Sequence, residues 1–163
     1  MLSIMTHIVN MTTRQHTPAG AGLTGLILEI FRVNGRLLAV GDWLVAGLNM
    51  TSGRWQVLGA IALAPAAEPV ARLARNMGLT RQGVQRIVND MRRQGLIELK
   101  PNPHHRRARL VTLTAKGRKA FGDATDLQVP WVNAVASGLK RRQIAAATRL
   151  LETLRRRLEQ AER

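Results

Sequence analysis

Two apolar-periodic segments joined by a glycine turn constrain the fold of this chain more than any other feature. Residues 69–78 read Pro-Val-Ala-Arg-Leu-Ala-Arg-Asn-Met-Gly, and Gly78 suits the C-terminal end of a helix. Thr80 suits the N-cap of a second helix, because its hydroxyl can accept a backbone N–H. Apolar residues then recur at steps of three and four, at Val84, Ile87, Val88 and Met91. The spacing predicts a helix-turn-helix over residues 69–95, and an ordinary helical hairpin is the alternative.

The face opposite this apolar stripe is polar, and it has no acidic residue before Asp90. Arginine can pair with guanine O6 and N7, and glutamine or asparagine with adenine, in the major groove of DNA. A recognition helix presents its N-terminal half to those base edges. The pattern therefore predicts a helix that reads double-stranded DNA, and a merely solvated face is the alternative. The predicted DNA-binding residues of this helix and its cap are Thr80, Arg81, Gln82, Gln85, Arg86 and Asn89.

A short hairpin is predicted directly after the second helix. Residues 96–100 and 108–113 are typical of two strands, and residues 101–107 between them are rich in turn formers. A hairpin that follows a recognition helix is a wing. Arg106 and Arg107 lie at its tip, where arginine can enter a narrow minor groove or contact phosphates. We predict that both arginines bind DNA, and a surface hairpin with solvated charges is the alternative.

The positive charge of the chain is concentrated in its centre. The 163 residues carry a formal net charge of +15, and residues 72–119 hold +11 of it, with only Asp90 and Glu98 as acids. Such an excess predicts a polyanionic partner. The helix-turn-helix and the wing favour duplex DNA over a membrane surface, and five aromatic residues are few for stacking single-stranded bases. Non-specific architectural DNA binding and membrane-surface binding through the basic residues 140–163 are the alternatives.

The two ends of the chain are typical of long helices with apolar stripes. Steps of three and four predict one helix over about residues 24–48 and a second that begins at Thr51 or Ser52. A further helix is predicted over about 115–136, where Pro130 predicts a kink or break near Val129. The last helix has a short coiled-coil seam, formed by Ile144, Ala147, Leu151, Leu154 and Leu158. Stripes of this length need cover from other helices, including those of a second subunit.

The order of these elements resembles the MarR (multiple antibiotic resistance regulator) family of winged-helix transcription factors. Residues 51–58 (Thr-Ser-Gly-Arg-Trp-Gln-Val-Leu) are similar to the opening of the family's second helix. Residues 113–118 (Leu-Thr-Ala-Lys-Gly-Arg), with Arg106-Arg107 before them, resemble the family's passage out of the wing. The family usually has Asp at the wing positions that Asn102 and His105 hold here.

The resemblance implies a transcriptional repressor that acts as a homodimer on an inverted-repeat operator. It implies release from DNA by a small aromatic or phenolic effector, and the candidate lining residues are Phe31, Arg32, Trp43 and Trp55; the alternative is that these aromatic side chains belong to the core. The implied fold class is mainly α with a small β wing, a winged helix-turn-helix flanked by N- and C-terminal dimerisation helices. We expect a flexible tail over 1–18, a dimerisation helix over 19–50, the DNA-binding domain over 51–119 and dimerisation helices over 120–163.

The sequence offers no pattern for catalysis or for a metal. There is no catalytic triad, no phosphate-cradling glycine loop and no cysteine, so thiolate metal sites, disulfides and thiol-based sensing are excluded. The adjacent His104 and His105 are a poor metal site without carboxylate or thiolate neighbours. We therefore expect a cytoplasmic protein that is not an enzyme and has no catalytic residues, no cofactor, no metal and no membrane span.

Overall fold

The computed structural model describes residues 15–105 and 107–161 of the chain, and these residues are mainly helical. Within them lie the helices α1 (Pro18–Val45), α2 (Ser52–Ala62), α3 (Val70–Asn76), α4 (Arg81–Arg93), α5 (Ala115–Ala136) and α6 (Arg141–Ala161), and a 3-10 turn (Ala46–Leu48). The strands are β1 (Glu68–Pro69), β2 (Ile97–Lys100) and β3 (Leu110–Leu113). The predicted fold class, mainly α with a small β wing, is confirmed.

The first helix begins earlier than predicted. Thr17 accepts a hydrogen bond from Gly20 N at 3.0 Å, and Pro18 occupies the first helical position, where its missing N–H costs nothing. The helix therefore starts at residue 18 rather than near 24, and its α-helical part ends at Val45. The predicted tail over 1–18 falls mostly outside the described residues, and Pro18 itself belongs to α1.

The chain divides into two compact units, and the division falls within α1 and within α5. The first unit consists of residues 1–31 together with 133–163. Its helix α6 has no buried residue over 21 positions. Large apolar side chains of α6 are exposed, namely Ile144, Leu150, Leu151 and Leu158. The apolar stripe predicted for this helix is therefore not covered within one chain.

The second unit, residues 32–132, holds the hydrophobic core. The largest fully buried side chains come from α1 to α4 and β3: Leu58, Leu73, Met91, Val45, Val57, Val84, Val88 and Val111. Three of the four residues of the predicted stripe in the helix-turn-helix, Val84, Val88 and Met91, are 0% exposed, and Ile87 packs against this core at its edge. Each such side chain contributes about 1.5–3 kcal/mol by leaving water, so the core fixes which face of α4 remains outside.

The junction between α1 and α2 depends on close packing and on two caps. Gly41 is buried, and a Cβ at this position would lie 2.8 Å from the Cβ of Ser52. Asp42 accepts the backbone N–H of Ser52 at 2.6 Å, and Thr51 accepts that of Arg54 at 3.4 Å. Of the two residues proposed to cap the second helix, Thr51 is therefore the N-cap.

The three strands form an antiparallel sheet in the order β1-β3-β2. Lys100 opposes Leu110 and Ile97 opposes Leu113, so the hairpin predicted after α4 is present. Strand β1 was not predicted, because two residues show no alternation of apolar and polar side chains. Its Pro69 is extended (φ −74°, ψ 156°) and is the N-cap of α3.

Helix α5 continues through Pro130 as one helix from Ala115 to Ala136. The sequence predicted a kink or a break near Val129, and the prediction of a break is wrong. Proline removes one i→i−4 hydrogen bond and crowds the carbonyl of residue i−4, but the hydrogen bonds of the flanking turns keep the helix continuous. Gly138, with φ +80°, lies between α5 and α6.

Candidate nucleic-acid interface

The turn between α3 and α4 is built from a glycine and a capping threonine. Gly78 has φ +65°, a conformation that favours glycine because it lacks a Cβ. Leu79 N donates to Ala74 O at 2.9 Å, which closes the C-terminal end of α3. Thr80 accepts the N–H of Gly83 at 3.1 Å and starts α4. The structure therefore contains the predicted helix-turn-helix, with Thr80 in a capping role.

The exposed face of α4 contains the five side chains that were predicted to read DNA. Arg81, Gln82, Arg86 and Asn89 are exposed, and Gln85 is half-buried. The Gln85 Nε2 atom donates to Asn89 Oδ1 at 2.9 Å, which aligns the two amides on one side of the helix. Among the described residues, no hydrogen bond or ion pair engages the side chains of Arg81, Gln82 or Arg86. This face is therefore free to contact a ligand without breaking contacts within the chain.

Asn102 organises the tip of the wing. Its side-chain oxygen accepts His104 N at 3.0 Å, and its Nδ2 donates to Ala108 O at 2.9 Å. An aspartate, the usual residue of the family here, could accept the first bond but could not donate the second. The amide therefore closes the tip from both sides. Arg107 and His105 are exposed on this tip, and Arg106 lies outside the described residues.

Helix α4, the predicted recognition helix, and the wing share a cleft of about 200 Å³. Arg81 and Gln85 of α4 line it on one side, and Arg107 and Arg109 of the wing line it on the other. Arg109 also donates to Leu99 O at 2.8 Å, which ties it to strand β2. The structure thus brings Arg107 close to Arg81 and Gln85, which precede it by 26 and 22 positions in the sequence, and the shared cleft is positively charged.

Asp90 is the point at which α4 is joined to α2. Arg54 forms a short ion pair with one oxygen of Asp90, and Arg93 donates to the other at 2.5 Å. The hydrogen bond from Arg54, followed by that from Arg93, lowers the pKa of Asp90 below its ordinary value of 3.8. Arg54 is therefore engaged within the fold, whereas Arg93 pairs with Asp90 but keeps 74% of its side chain exposed.

Three residues at the start of α5 contact the backbone of the turn that follows α4. The sequence did not reveal these roles. Thr114 donates to Gly95 O at 2.7 Å and accepts Gly117 N at 3.0 Å, while Lys116 donates to Gln94 O at 2.9 Å. A Cβ on Gly117 would lie 1.9 Å from Leu96 O, so only glycine fits here. The Thr-x-x-Gly spacing could have identified the hydrogen bond from Gly117 N to Thr114, but not the approach of Gly117 to Leu96.

The four candidate effector-binding residues lie in both units. Phe31, in the first unit, is 68% exposed, and in the second unit Trp43 is 73% exposed while Arg32 is also exposed. Trp55, also in the second unit, packs against the edge of the core. The alternative that these aromatic residues are core therefore does not apply to Phe31 or Trp43 within one chain.

The second unit also contains two larger cavities, of about 850 and 510 Å³, and none of those four residues lines either one. The described residues contain no group of three or more potential metal ligands. None of the helices in the described part combines the length and the apolar character needed to cross a membrane.

Comparisons with known proteins agree with this geometry. The family model described as MarR family matches residues 47–108, which run from the 3-10 turn after α1 into the wing. An uncharacterized protein of Mycobacterium tuberculosis (strain ATCC 25618 / H37Rv) is 36% identical over 114 residues, which cover 70% of this chain and 78% of that protein. The transcriptional activatory protein BadR of Rhodopseudomonas palustris is 32% identical over 98 residues, covering 59% of this chain and 56% of BadR.

Solved structures share the fold. A mutant MarR from E. coli, complexed with operator DNA, has a TM-score of 0.70 at 22% identity, covering 82% of this chain and 95% of that one. CouR from Rhodococcus jostii RHA1, bound to p-coumaroyl-CoA, has a TM-score of 0.69 at 18% identity, covering 81% and 91%. The family model matches, the M. tuberculosis relative is 36% identical, and the winged helix-turn-helix is present. The chain therefore belongs to the MarR family of DNA-binding transcription regulators.

Proposed function

We propose that this chain binds one double-stranded DNA sequence specifically and that α4 reads its bases in the major groove. The observation that carries the proposal is the polar face of α4, where the side chains of Arg81, Gln82 and Arg86 make no hydrogen bond or ion pair within the described residues. Arginine and glutamine can each make two hydrogen bonds to one purine edge. In this proposal the wing residues Arg106 and Arg107 contact the backbone or the minor groove.

We further propose a homodimer whose interface is formed by α1, the end of α5 and α6. Helix α6 buries none of its residues within one chain, although leucine and isoleucine recur along it. An exposed apolar stripe of this length indicates an interaction surface. In a two-fold dimer the two recognition helices would lie about one turn of DNA apart, so the operator would be an inverted repeat.

The regulatory outcome that we propose is repression in the cytoplasm, relieved by a small aromatic or phenolic effector. The exposed Phe31 and Trp43, together with Arg32 and Trp55, are the proposed effector contacts. The CouR structure, which contains p-coumaroyl-CoA, supports an aromatic ligand for this fold. The name of BadR describes an activator, so a reporter gene behind the operator is needed to establish the sign of regulation. We propose no catalytic activity.

A second candidate function is non-specific architectural DNA binding, which the net charge of +15 favours. The two functions differ in discrimination between sequences. Selection of bound sequences from random DNA should enrich one inverted repeat, and its Kd should be at least about 10³-fold lower than that of random duplex at ~150 mM salt. Equal affinity for both, with a steep salt dependence alone, would establish the architectural function instead.

A further inference from the structure

Asp90 is the only acidic residue between Glu68 and Glu98, and it lies on the recognition helix. Its partner from outside that helix is Arg54 of α2. The guanidinium of Arg54 donates through Nη2 to Asp90 and through Nη1 to Gln94 Oε1 at 3.3 Å. The Arg54 side chain is 21% exposed, so its stem is largely packed and its head group is held. Two directional bonds thus connect α2 to the C-terminal end of α4.

The first turn of α2, which carries Arg54, is itself held in place. Thr51 and Asp42 cap the first turn of α2, and the Cβ position of Gly53 lies 3.7 Å from Ile87 Cδ1 of the recognition helix. Helix α2 therefore touches α4 about one turn before Asp90. The bonds from Arg54 therefore add a directional restraint on the rotation and the axial position of α4 to the packing of its buried face.

Rotation matters because base contacts are directional while core contacts are not. Burial of Val84 and Val88 is driven by apolar area and tolerates a small rotation of the helix. A hydrogen bond weakens steeply when its angle falls below about 120°, and a bidentate contact requires two bonds at once. Arg86 lies one helical turn before Asp90, so any rotation at Asp90 moves the base-reading side chains with it.

We propose that Arg54 is a positioning residue that sets the sequence discrimination of this regulator without contacting DNA. The inference rests on the proposed sequence-specific binding by α4. It predicts that loss of the guanidinium weakens operator binding more than binding to random duplex. Because Arg54 contacts no phosphate in this proposal, the salt dependence of non-specific binding should be unchanged.

The test compares Kd for the selected operator with Kd for random duplex, for wild type and for Arg54→Met, which keeps the stem of the side chain. We expect the ratio of the two constants to fall about tenfold, the effect of losing one well-aligned base contact. Arg54→Lys retains a donor to Asp90 and should recover part of the ratio. The double variant R54M with D90N should lose no more than R54M alone, since both changes remove the same contact.

Arg93→Met is the matched control, because Arg93 also pairs with Asp90 but belongs to the same helix. It removes the same charge and should leave the ratio within about twofold of wild type. Thermal unfolding gives the Tm of each variant. The Kd values are measured at a temperature below all of these, so that every variant is folded. The inference fails if R54M keeps the wild-type ratio, or if R93M lowers the ratio as much. A wild-type ratio near one would instead refute the proposed function itself.

Discussion

At the scale of single residues, the arginines of this chain differ in what their guanidinium groups contact. Arg54, Arg93 and Arg118 bond to acceptors within the fold: Asp90 for the first two and Leu113 O for the third. Arg86 and Arg107 are exposed and make no such contact among the described residues. Net charge alone therefore overstates what is available to DNA, and the free arginines are the ones to mutate.

Arg86→Ala should cost about 1–3 kcal/mol in binding to the operator and little on random duplex, because a base contact is lost. Arg107→Ala is the companion variant, and it should weaken binding to both DNAs equally while lowering the salt slope by about one. Fluorescence anisotropy titrations at several salt concentrations measure both quantities. An equal loss on every sequence for Arg86→Ala would show that this residue contacts phosphate rather than a base.

At the scale of elements, two contacts determine where the recognition helix ends and how it is held. The first is the ion pair between α2 and α4 at Asp90, and the second is the approach of α5 to the turn that follows α4. Both involve polar or glycine residues at element boundaries rather than the core. The core determines the face that α4 exposes, and these contacts determine its ends.

Gly117→Ala should destabilise the protein by roughly 3 kcal/mol, because the added methyl would overlap the carbonyl of Leu96 and force the backbone apart. Gly122→Ala, in the same helix, is the control: its Cβ position has nothing within 4 Å, and alanine should stabilise the helix by up to about 1 kcal/mol. Urea unfolding gives both free energies. Similar free energies for the two variants would show that α5 does not need the close approach.

The stability contributed by Asp90 should depend on pH. Because Arg54 and Arg93 lower the pKa of Asp90 in the folded chain, its contribution is fully present above the unfolded pKa near 3.8 and is lost as the pH falls through the lower folded value. The difference in free energy of unfolding between wild type and Asp90→Asn should therefore be constant from pH 7 to about pH 5 and shrink below about pH 4. In the Arg54→Met background the pH-dependent part should decrease, and no decrease would contradict the assignment of its main cause.

At the scale of the whole molecule, the exposed apolar side chains of α6 are a feature that one chain leaves unexplained by its own packing. Leu151 is 45% exposed and Leu158 is 66% exposed on a helix with no buried residue. Their seven-residue separation is that of a coiled-coil seam. The proposed dimer accounts for them.

Leu151→Asp should shift the chain from dimer to monomer, because it places a charge in the proposed seam, where it would be desolvated. Arg149→Asp is the control, since residue 149 lies about 160° around the helix from residue 151. Sedimentation equilibrium at several protein concentrations measures both variants. A dimer of unchanged strength in Leu151→Asp would place the interface elsewhere.

Much of the fold could be predicted from the sequence because strong periodicity and turn chemistry agree. Val84, Val88 and Met91 repeat at helical spacing, and Gly78 with Thr80 marks the turn between two helices. Strand β1 could not be predicted, since its two residues show no periodicity and pair with residues of β3 more than 40 positions further along the chain. The contact between Gly117 and Leu96 was hidden for the same reason, as it depends on tertiary approach rather than on local pattern.

The positions of the candidate site residues were predictable to a similar extent. The five base-reading candidates on α4 follow from its amphipathic pattern, and the structure places them on one exposed face. The role of Arg54 could not be read from residues 51–58, because its partners lie 36 and 40 positions further along the chain. The role of Asn102 in closing the wing tip likewise depends on hydrogen bonds across the hairpin.

The uncovered stripe of α6 also has a consequence for how long the protein persists in a cell. A lone chain presents leucine and isoleucine along this helix to the solvent, and exposed apolar segments are what chaperones and proteases act upon. Pairing would shelter them, and its extent rises with protein concentration. We therefore expect turnover to be fastest when few chains are present, so that the amount of regulator falls steeply once its synthesis stops.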